Sequence, residues 1–110
     1  MQNTSKSDWK LFCSKVPGWQ ERYMKRLDEE YIELLSSDKP ASTRFWELEK
    51  RIREDKKSKG VVINLRKSEA LWDIALFLRD GIIDKDDLSE FSDDLQENVN
   101  FLVERSRQEY

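Results

Sequence analysis

The sequence feature that most constrains the fold is a nearly uninterrupted apolar run at residues 70–78. It reads Ala-Leu-Trp-Asp-Ile-Ala-Leu-Phe-Leu, and Asp73 is its only polar residue. A helix that is apolar around most of its circumference has to be covered by other elements on several sides. We therefore predict a central helix over residues 68–79, with the amphipathic segments of the chain packed around it.

The composition favours helices for the rest of the chain. The 110 residues, enough for one domain, include only three Gly and two Pro, fewer turn residues than an all-β fold uses. Although 39% of the residues are charged, four Trp, five Phe and three Tyr argue against a disordered chain. We therefore predict an all-α fold, in which residues 1–110 form a single-domain bundle of about five helices and residues 1–6 are disordered.

The four other helices are predicted from apolar residues that recur every three or four positions. They cover residues 8–16, 19–36, 43–58 and 85–107. Pro17-Gly18 is expected to separate the first two of these helices. Four polar residues are predicted to be N-caps: Ser7, Ser42, Ser68 and Asp84. Three apolar residues of the 43–58 helix are expected to face the core: Phe45, Leu48 and Ile52.

Two glycines are predicted to end helices. Gly60 follows a lysine-rich stretch at the end of the 43–58 helix, and Gly81 closes the central helix in the Schellman manner. Residues 61–65 (Val-Val-Ile-Asn-Leu) suggest a strand, because they are mostly β-branched, but a lone strand has nothing to pair with. An extended connector, or an early start of the central helix, is therefore preferred for this stretch.

The residue types exclude several classes of active site. The chain has no histidine, so a Ser-His-Asp or Cys-His site cannot be built from it alone. Cys13 falls on the apolar face of the first helix and is interpreted as a small buried hydrophobe. Paired zinc-binding cysteines and a glycine-rich phosphate loop are absent from the sequence. We predict a protein that is not an enzyme and needs no cofactor or metal; the enzymatic alternative is a carboxylate site around Asp73.

Neither a secretion signal nor a membrane span is expected. Met1–Lys10 is polar, unlike a signal peptide, and no apolar run approaches the ~20 residues that a membrane-spanning helix needs. A single cysteine forms no internal disulfide, which suits a reducing compartment. The sequence therefore predicts a soluble, cytoplasmic protein without membrane contact.

Positive charge is concentrated in residues 44–67, which hold nine Lys/Arg and four Asp/Glu, a net charge of +5. Within the 43–58 helix, an aromatic residue and three cations recur at i, i+4, i+7 and i+11, the spacing of a narrow strip beside the core face. This basic strip consists of Trp46, Lys50, Arg53 and Lys57. Such a strip can bind phosphates and stack a base. In the structural alternative, Trp46 lies at the edge of the core and the cations are solvated or paired within the protein.

Negative charge is concentrated in residues 68–110, which hold four Lys/Arg and twelve Asp/Glu, a net charge of −8. Four carboxylates of the last helix recur with the same spacing, and an aromatic residue falls beside them. This acidic strip consists of Asp86, Glu90, Asp93, Glu97 and Phe101. An exposed aromatic beside carboxylates can anchor a basic partner protein. Alternatively the strip is an ordinary solvated helix face, or it pairs with the basic strip within one chain or across a homodimer.

Five segments of the sequence carry a resemblance to other proteins. They are Trp19-Gln-Glu21 with Tyr23-Met24, Tyr31–Leu35, Phe45–Ile52, Trp72-Asp-Ile74 and Asp87–Leu95. Together they resemble small uncharacterised helical proteins of gut-type Gram-positive bacteria, which often accompany mobile elements and are sometimes mislabelled as multidrug transporters. The resemblance covers about residues 8–104 and implies no catalytic residues. The transporter label conflicts with the lack of a predicted membrane span.

The leading functional hypothesis is a non-enzymatic helical protein-interaction module. The resemblance implies a mobile-element or phage accessory protein, acting as a regulator or as an inhibitor of host defence through a partner protein. The alternative is a nucleic-acid-binding protein that uses the basic strip. The two hypotheses can be distinguished by the surface charge, because nucleic acid needs an open positive face, whereas internally neutralised strips favour a protein partner.

Overall fold

A computed structural model describes residues 4–108, and within that range the chain has four α-helices and no strand. The helices are α1 (Lys6–Leu35), α2 (Ala41–Asp55), α3 (Ala70–Arg79) and α4 (Asp93–Gln108). Short 3₁₀ helices at Lys67–Glu69 and Lys85–Leu88 precede α3 and α4. The all-α prediction is confirmed, but the predicted count of five helices is wrong. Of residues 1–6, expected to be disordered, residues 1–3 lie outside the described range and Lys6 begins α1.

Helix α1 continues through Pro17-Gly18, where a break was predicted. Proline has no N–H and costs a helix interior about 3 kcal/mol. The residues on either side of the pair, Val16 and Trp19, are both buried. Burying a large apolar side chain stabilises by roughly 1.5–3 kcal/mol, so these two residues together offset the cost of the proline. The predicted segments 8–16 and 19–36 are therefore one helix.

The chain divides into two compact units, to both of which α1 contributes. The first unit contains the residues up to Trp19 and those from Asn64 onward, and the second unit contains Gln20–Ile63. The single-domain interpretation stays a prediction.

The first unit has an apolar core in which α3 is deeply buried. Six of the ten residues of α3 are buried, as the apolar run predicted. The ring of Phe77 lies 5.8 Å from that of Trp19 and 6.3 Å from that of Phe12, centroid to centroid. Phe91 and Val99 also belong to this core. Aromatic pairs at such distances stabilise beyond the area that they bury.

Buried polar contacts link the N-terminal turns of α1 and α4 in the first unit. Ser5 Oγ accepts a hydrogen bond from the backbone N–H of Asp8, so α1 starts earlier than the predicted cap at Ser7 would allow. The buried Asp8 carboxylate accepts from both the backbone N–H and the hydroxyl of Ser92, at 3.0 and 2.6 Å. The hydroxyl of Ser92 in turn accepts from the N–H of Leu95 in the first turn of α4.

The end of α3 follows the predicted Schellman geometry. Gly81 has φ of 73°, a left-handed conformation that favours glycine. The N–H of Ile82 donates to Phe77 O at 2.9 Å and that of Gly81 to Leu78 O at 3.2 Å. These are the two bonds of the Schellman motif. The start of α3 differs from prediction, since Ser68 lies within the preceding 3₁₀ helix and no side chain caps α3.

The predicted helix 85–107 is interrupted, so α4 begins only at Asp93. Asp84 is a cap as predicted, but it forms a capping box with Asp87 around the short 3₁₀ helix. Leu88, the last residue of that 3₁₀ helix, and Phe91, in the turn that follows it, are both buried. Burial of these two side chains and the cap at Ser92 favour a turn between two helices over one continuous helix.

In the second unit, α1 and α2 run antiparallel and are joined by polar contacts. Tyr31 Oη donates to the Asp55 carboxylate at 2.5 Å, and the Arg51 guanidinium donates to Glu30 at 2.7 Å. At the other end of α2, Arg44 donates to the carbonyl oxygen of Leu35, the last residue of α1, at 2.6 Å. This pairing presents the polar face of α2 to α1.

The predicted core face of α2 is wrong, because none of its residues is buried. Phe45 is 61% exposed and Ile52 is 39% exposed, while Leu48 is only half-buried. The contacts of Arg44, Arg51 and Asp55 with α1 place Phe45 and Ile52 at the edge of the pairing between the two helices, where both side chains stay exposed. The predicted cap at Ser42 is also wrong, since Pro40 is the N-cap and makes no side-chain bond.

Residues 61–65 form an irregular connector, one of the two preferred interpretations. The side chain of Gln20 donates to the carbonyl oxygens of Lys59 and Val61, which holds the start of the connector against α1. Gly60 does not directly follow α2, which ends at Asp55. Its lack of a side chain instead leaves room for the ring of Tyr23.

Candidate interaction surfaces

Large apolar side chains are exposed mainly in the Gln20–Ile63 unit. Nine such side chains are exposed among the described residues, and six of them belong to this unit. The six are Ile32, Leu35, Phe45, Trp46, Ile52 and Val62. Isolated exposed hydrophobes are ordinary, but contiguous apolar patches on soluble proteins usually mark sites of interaction. The concentration of exposed apolar side chains therefore makes the Gln20–Ile63 unit the candidate binding surface.

Helix geometry places several of these side chains along one edge of the pairing between α1 and α2. Phe45 and Ile52 are seven residues apart and therefore share a face of α2. On α1, Met24 and Tyr31 are also seven residues apart, and Leu35 lies one turn beyond Tyr31. Because the helices are antiparallel, Phe45 lies at the Leu35 end and Ile52 at the end nearer Met24. Met24 and Tyr31 of α1 and Ile52 of α2 thus line one groove, and Leu35 and Phe45 lie toward the other end of the helix pairing.

The part of this groove around Ile52 has a volume of about 430 Å³. Its apolar lining consists of Met24, Leu27, Ile52 and Val61. Tyr31 also lines it; burial, the hydrogen bond to Asp55 and the charge of that carboxylate raise the pKa of the phenol above its ordinary value. The volume falls within the range typical of binding pockets, which are mainly apolar with a few fixed polar groups.

Charged residues border the groove on both sides. Glu21 and Asp28 line it from α1, and neither carboxylate has a hydrogen bond or ion pair to another described residue. Asp55 lines it from α2 but is already bonded to Tyr31, and it lies 3.6 Å from Arg51. Lys56 is the cation on the α2 side. The α1 rim is therefore the negative one.

The predicted basic strip is largely neutralised within α2 and the turn that follows it. Trp46 is 64% exposed, and its ring packs edge-on against Phe45 with centroids 5.0 Å apart. Arg53 forms an ion pair with Glu49, and Lys57 lies 3.6 Å from Glu54. Lys50 is exposed. Two of the three cations thus have an acidic neighbour, so the strip is not an open positive face.

The predicted acidic strip does not lie on one helix. Asp86 belongs to the second 3₁₀ helix and Glu90 to the turn after it, because the helix predicted for 85–107 is interrupted. Glu90 forms an ion pair with Lys15 at 2.6 Å. Asp93 and Glu97 share a face of α4, and Phe101, one turn further on, is 62% exposed. The structure thus brings together only the last three members of the strip.

Similarity to known proteins contributes no site residues. Comparisons with protein-family models, curated proteins and solved structures find no match to this chain. Within residues 4–108, no helix is both long and apolar enough to cross a membrane. In the same range, no group of three or more His, Cys, Asp or Glu side chains is placed to hold a metal ion.

Asp73, the acid considered for catalysis, is 1% exposed and lies within the core of the first unit. The nearby polar cavity, of about 200 Å³, is lined by Leu71 of the same helix and by Asp8, Ser92 and Asp94, but not by Asp73. Asp73 is therefore buried away from that cavity, in a position that suits a structural role.

The groove of the second unit was missed by sequence reasoning. Met24, Leu27 and Tyr31 lie within the predicted 19–36 helix, whose apolar residues were expected to pack around the central helix. Ile52 was likewise assigned to a core face. The spacing of apolar residues identifies a face but does not say what covers it. Glu21 and Asp28, seven residues apart beside that apolar face, were the available signal in the sequence, because carboxylates are rarely buried.

Proposed function

We propose that this protein is a non-enzymatic protein-interaction module that binds a partner protein through the exposed apolar side chains of the Gln20–Ile63 unit. The observation that carries the proposal is the grouping of six of the nine exposed large apolar side chains in this unit. The edge-on pair Phe45 and Trp46 has the character of an interface anchor, because aromatic residues dominate the energetics of most protein interfaces.

The charge distribution supports a protein partner over nucleic acid. Arg53 and Lys57 of the basic strip are paired with glutamates, which leaves Lys50 next to Trp46 as its unpaired cation. Phosphate binding draws its affinity from several cations that release counterions together. A strip with one unpaired cation gains little affinity from counterion release. Binding of nucleic acid through Trp46, Lys50, Arg53 and Lys57 is therefore the alternative function.

The acidic face of α4 is proposed as a second contact surface for the same function. Asp93, Glu97 and Phe101 retain the pattern of an exposed aromatic beside carboxylates. Asp86 and Glu90 belong to different elements and are left out of this contact. A basic partner region would complement it, since rim charges guide the encounter of two proteins.

The biological setting is proposed from the sequence resemblance alone. In that setting the protein is a cytoplasmic accessory factor of a bacterial mobile element or phage, which regulates or inhibits a host protein. Small size and a net charge of −3 are compatible with such a role.

Site-specific photo-crosslinking in the cells that produce the protein tests this function. A photoreactive phenylalanine analogue replaces Phe45, Trp46 or Phe101 in turn, and Glu33 serves as an exposed control on α1. We expect discrete protein adducts from the three aromatic positions and weak or diffuse adducts from the Glu33 position. Treatment with nuclease or protease then identifies the class of molecule in each adduct.

Three results would contradict the proposal. An adduct at Trp46 that is sensitive to nuclease would favour the nucleic-acid alternative. Equal adducts at all positions would show random encounter instead of a defined surface. Adducts that contain only a second copy of this chain would identify the surface as a homodimer interface.

A further inference from the structure

We propose that the groove between α1 and α2 binds one amphipathic helix of the partner, whose apolar stripe is bordered by Lys or Arg on the side that faces α1. This inference rests on the proposed function and names the chemistry of the partner. Three features of the groove support a bound helix: its length, the apolar character of its walls and the unpaired carboxylates on one rim.

The length of the groove indicates a helix. Its lining on α1 runs from Glu21 to Tyr31, a distance of about 15 Å at 1.5 Å per residue. That distance corresponds to about three helical turns. The contact between Arg44 and the carbonyl of Leu35 keeps the two walls together at the far end, where Phe45 is exposed. A small molecule would fill only the 430 Å³ pocket around Ile52 and leave that end uncovered.

The walls match the apolar stripe of a helix. Apolar anchors on such a stripe recur at i, i+3 or i+4, and i+7, and they insert between the side chains of a groove. Leu35 and Ile52 are 42% and 39% exposed, so each still has a large fraction of its surface to bury. Tyr31 and Asp55 satisfy each other within the groove at 2.5 Å, which lets an apolar side chain cover them without leaving either one unbonded.

The rim charges determine where the partner carries its cations. Glu21 and Asp28 are seven residues apart on α1 and point along the same edge of the groove. Each lacks a hydrogen bond or ion pair to another described residue, so each is available to a Lys or Arg of the partner. Lys56 on the opposite rim would repel a cation there. A helix with cations on one side only is therefore accepted in one orientation about its axis.

Two designed helical peptides test this inference on the full-length chain. Both carry Leu at a, d and e positions over about three turns, and they differ only in having Lys or Glu beside that stripe. Binding is measured by fluorescence anisotropy of the labelled peptides. We expect the Leu/Lys peptide to bind at least about tenfold more tightly than the Leu/Glu peptide, and to weaken as salt is raised.

Charge-reversal variants locate the binding site of the peptide. Glu21→Lys with Asp28→Lys removes the negative rim and is expected to weaken the Leu/Lys peptide about tenfold or more. The matched control is Glu29→Lys with Glu33→Lys, which makes the same change in net charge on the opposite face of α1. This control is expected to leave the affinity within about twofold, because neither Glu29 nor Glu33 lines the groove and salt screens exposed charges. Ile52→Asp is expected to abolish binding of either peptide.

Equal affinity for the two peptides would overturn the inference, and so would equal weakening by the rim variant and the control. Crosslinks at Phe45 and Trp46 without discrimination between the peptides would refute the helix proposal and leave the proposed function standing. Failure of both experiments would refute both. Sedimentation equilibrium tests whether a second copy of this chain occupies the groove instead. A wild-type dimer that becomes monomeric in the Ile52→Asp variant would show that it does.

Discussion

Gly60 shows how one absent methyl group determines the packing of the Gln20–Ile63 unit. A Cβ atom built on this glycine would lie 2.8 Å from Cε2 of Tyr23, and closer still to Cδ2 of the same ring. The connector can therefore approach α1 only because this residue has no side chain. The sequence suggested a helix-terminating role for Gly60, since a glycine after a lysine-rich helix end is common and ring contacts leave no local pattern.

The Gly60→Ala variant is expected to be less stable than the wild type by about 1–3 kcal/mol, because the ring of Tyr23 has to move. Gly18→Ala is the matched control. No atom lies within 4 Å of a Cβ at Gly18, and the residue is within α1, so alanine is expected to stabilise by about 0.5–1 kcal/mol. Urea denaturation followed by circular dichroism measures both. A Gly60→Ala variant as stable as the wild type would contradict the close approach.

Tyr31 is expected to make stability depend on pH in the alkaline range. Burial and the hydrogen bond to Asp55 raise the pKa of its phenol above the ordinary value near 10.0. The folded state then holds this proton more tightly than the unfolded state. The stabilisation is complete below about pH 10 and declines as the pH rises further. The free energy of unfolding is expected to decrease less between ~pH 8 and ~pH 11 in Tyr31→Phe than in the wild type. An equal decrease in both proteins would contradict this role.

The helices differ in how far their ends can be predicted from local sequence. The end of α3 at Gly81 was predicted, because left-handed glycine geometry is a local property. The start of α4 was not predicted, because it depends on Asp8, 84 residues away, bonding to Ser92. Continuity of α1 through Pro17 likewise depends on tertiary burial of its neighbours. Contacts between distant segments leave no periodic signal in the sequence.

The link between α1 and α4 is expected to contribute measurably to stability. Asp8→Ala removes both hydrogen bonds to Ser92 and is expected to cost about 2–3 kcal/mol, because bonds to a charged group are strong and the donors are part-buried. Asp8→Asn keeps one acceptor oxygen and should lose less. Glu104→Ala on the exposed side of α4 is the control, expected within about 0.5 kcal/mol. Equal losses in all three variants would argue against this link.

Considered over the whole chain, the fold class and the exposure of Trp46 and Phe101 followed from composition and helical period, whereas the apolar surface of the Gln20–Ile63 unit did not. Trp46 and Phe101 were both expected to lie off the apolar faces and are exposed. Phe45 and Ile52 were assigned to the core, because a sequence pattern cannot separate an apolar face covered by the same chain from one left open. The polar contacts of Arg51 and Asp55 with α1 decide between these outcomes, and they appear only in three dimensions.

The proposed function requires that the exposed apolar side chains contribute little to folding. The most direct measurement is therefore the free energy of unfolding of the Phe45→Ala/Trp46→Ala double variant, obtained by urea denaturation of the full chain. The two side chains are 61% and 64% exposed and their rings contact each other, so we predict a loss of about 1 kcal/mol. A loss of about 3–5 kcal/mol for each aromatic, as for buried rings, would show that they belong to a core and would contradict the proposed interaction surface.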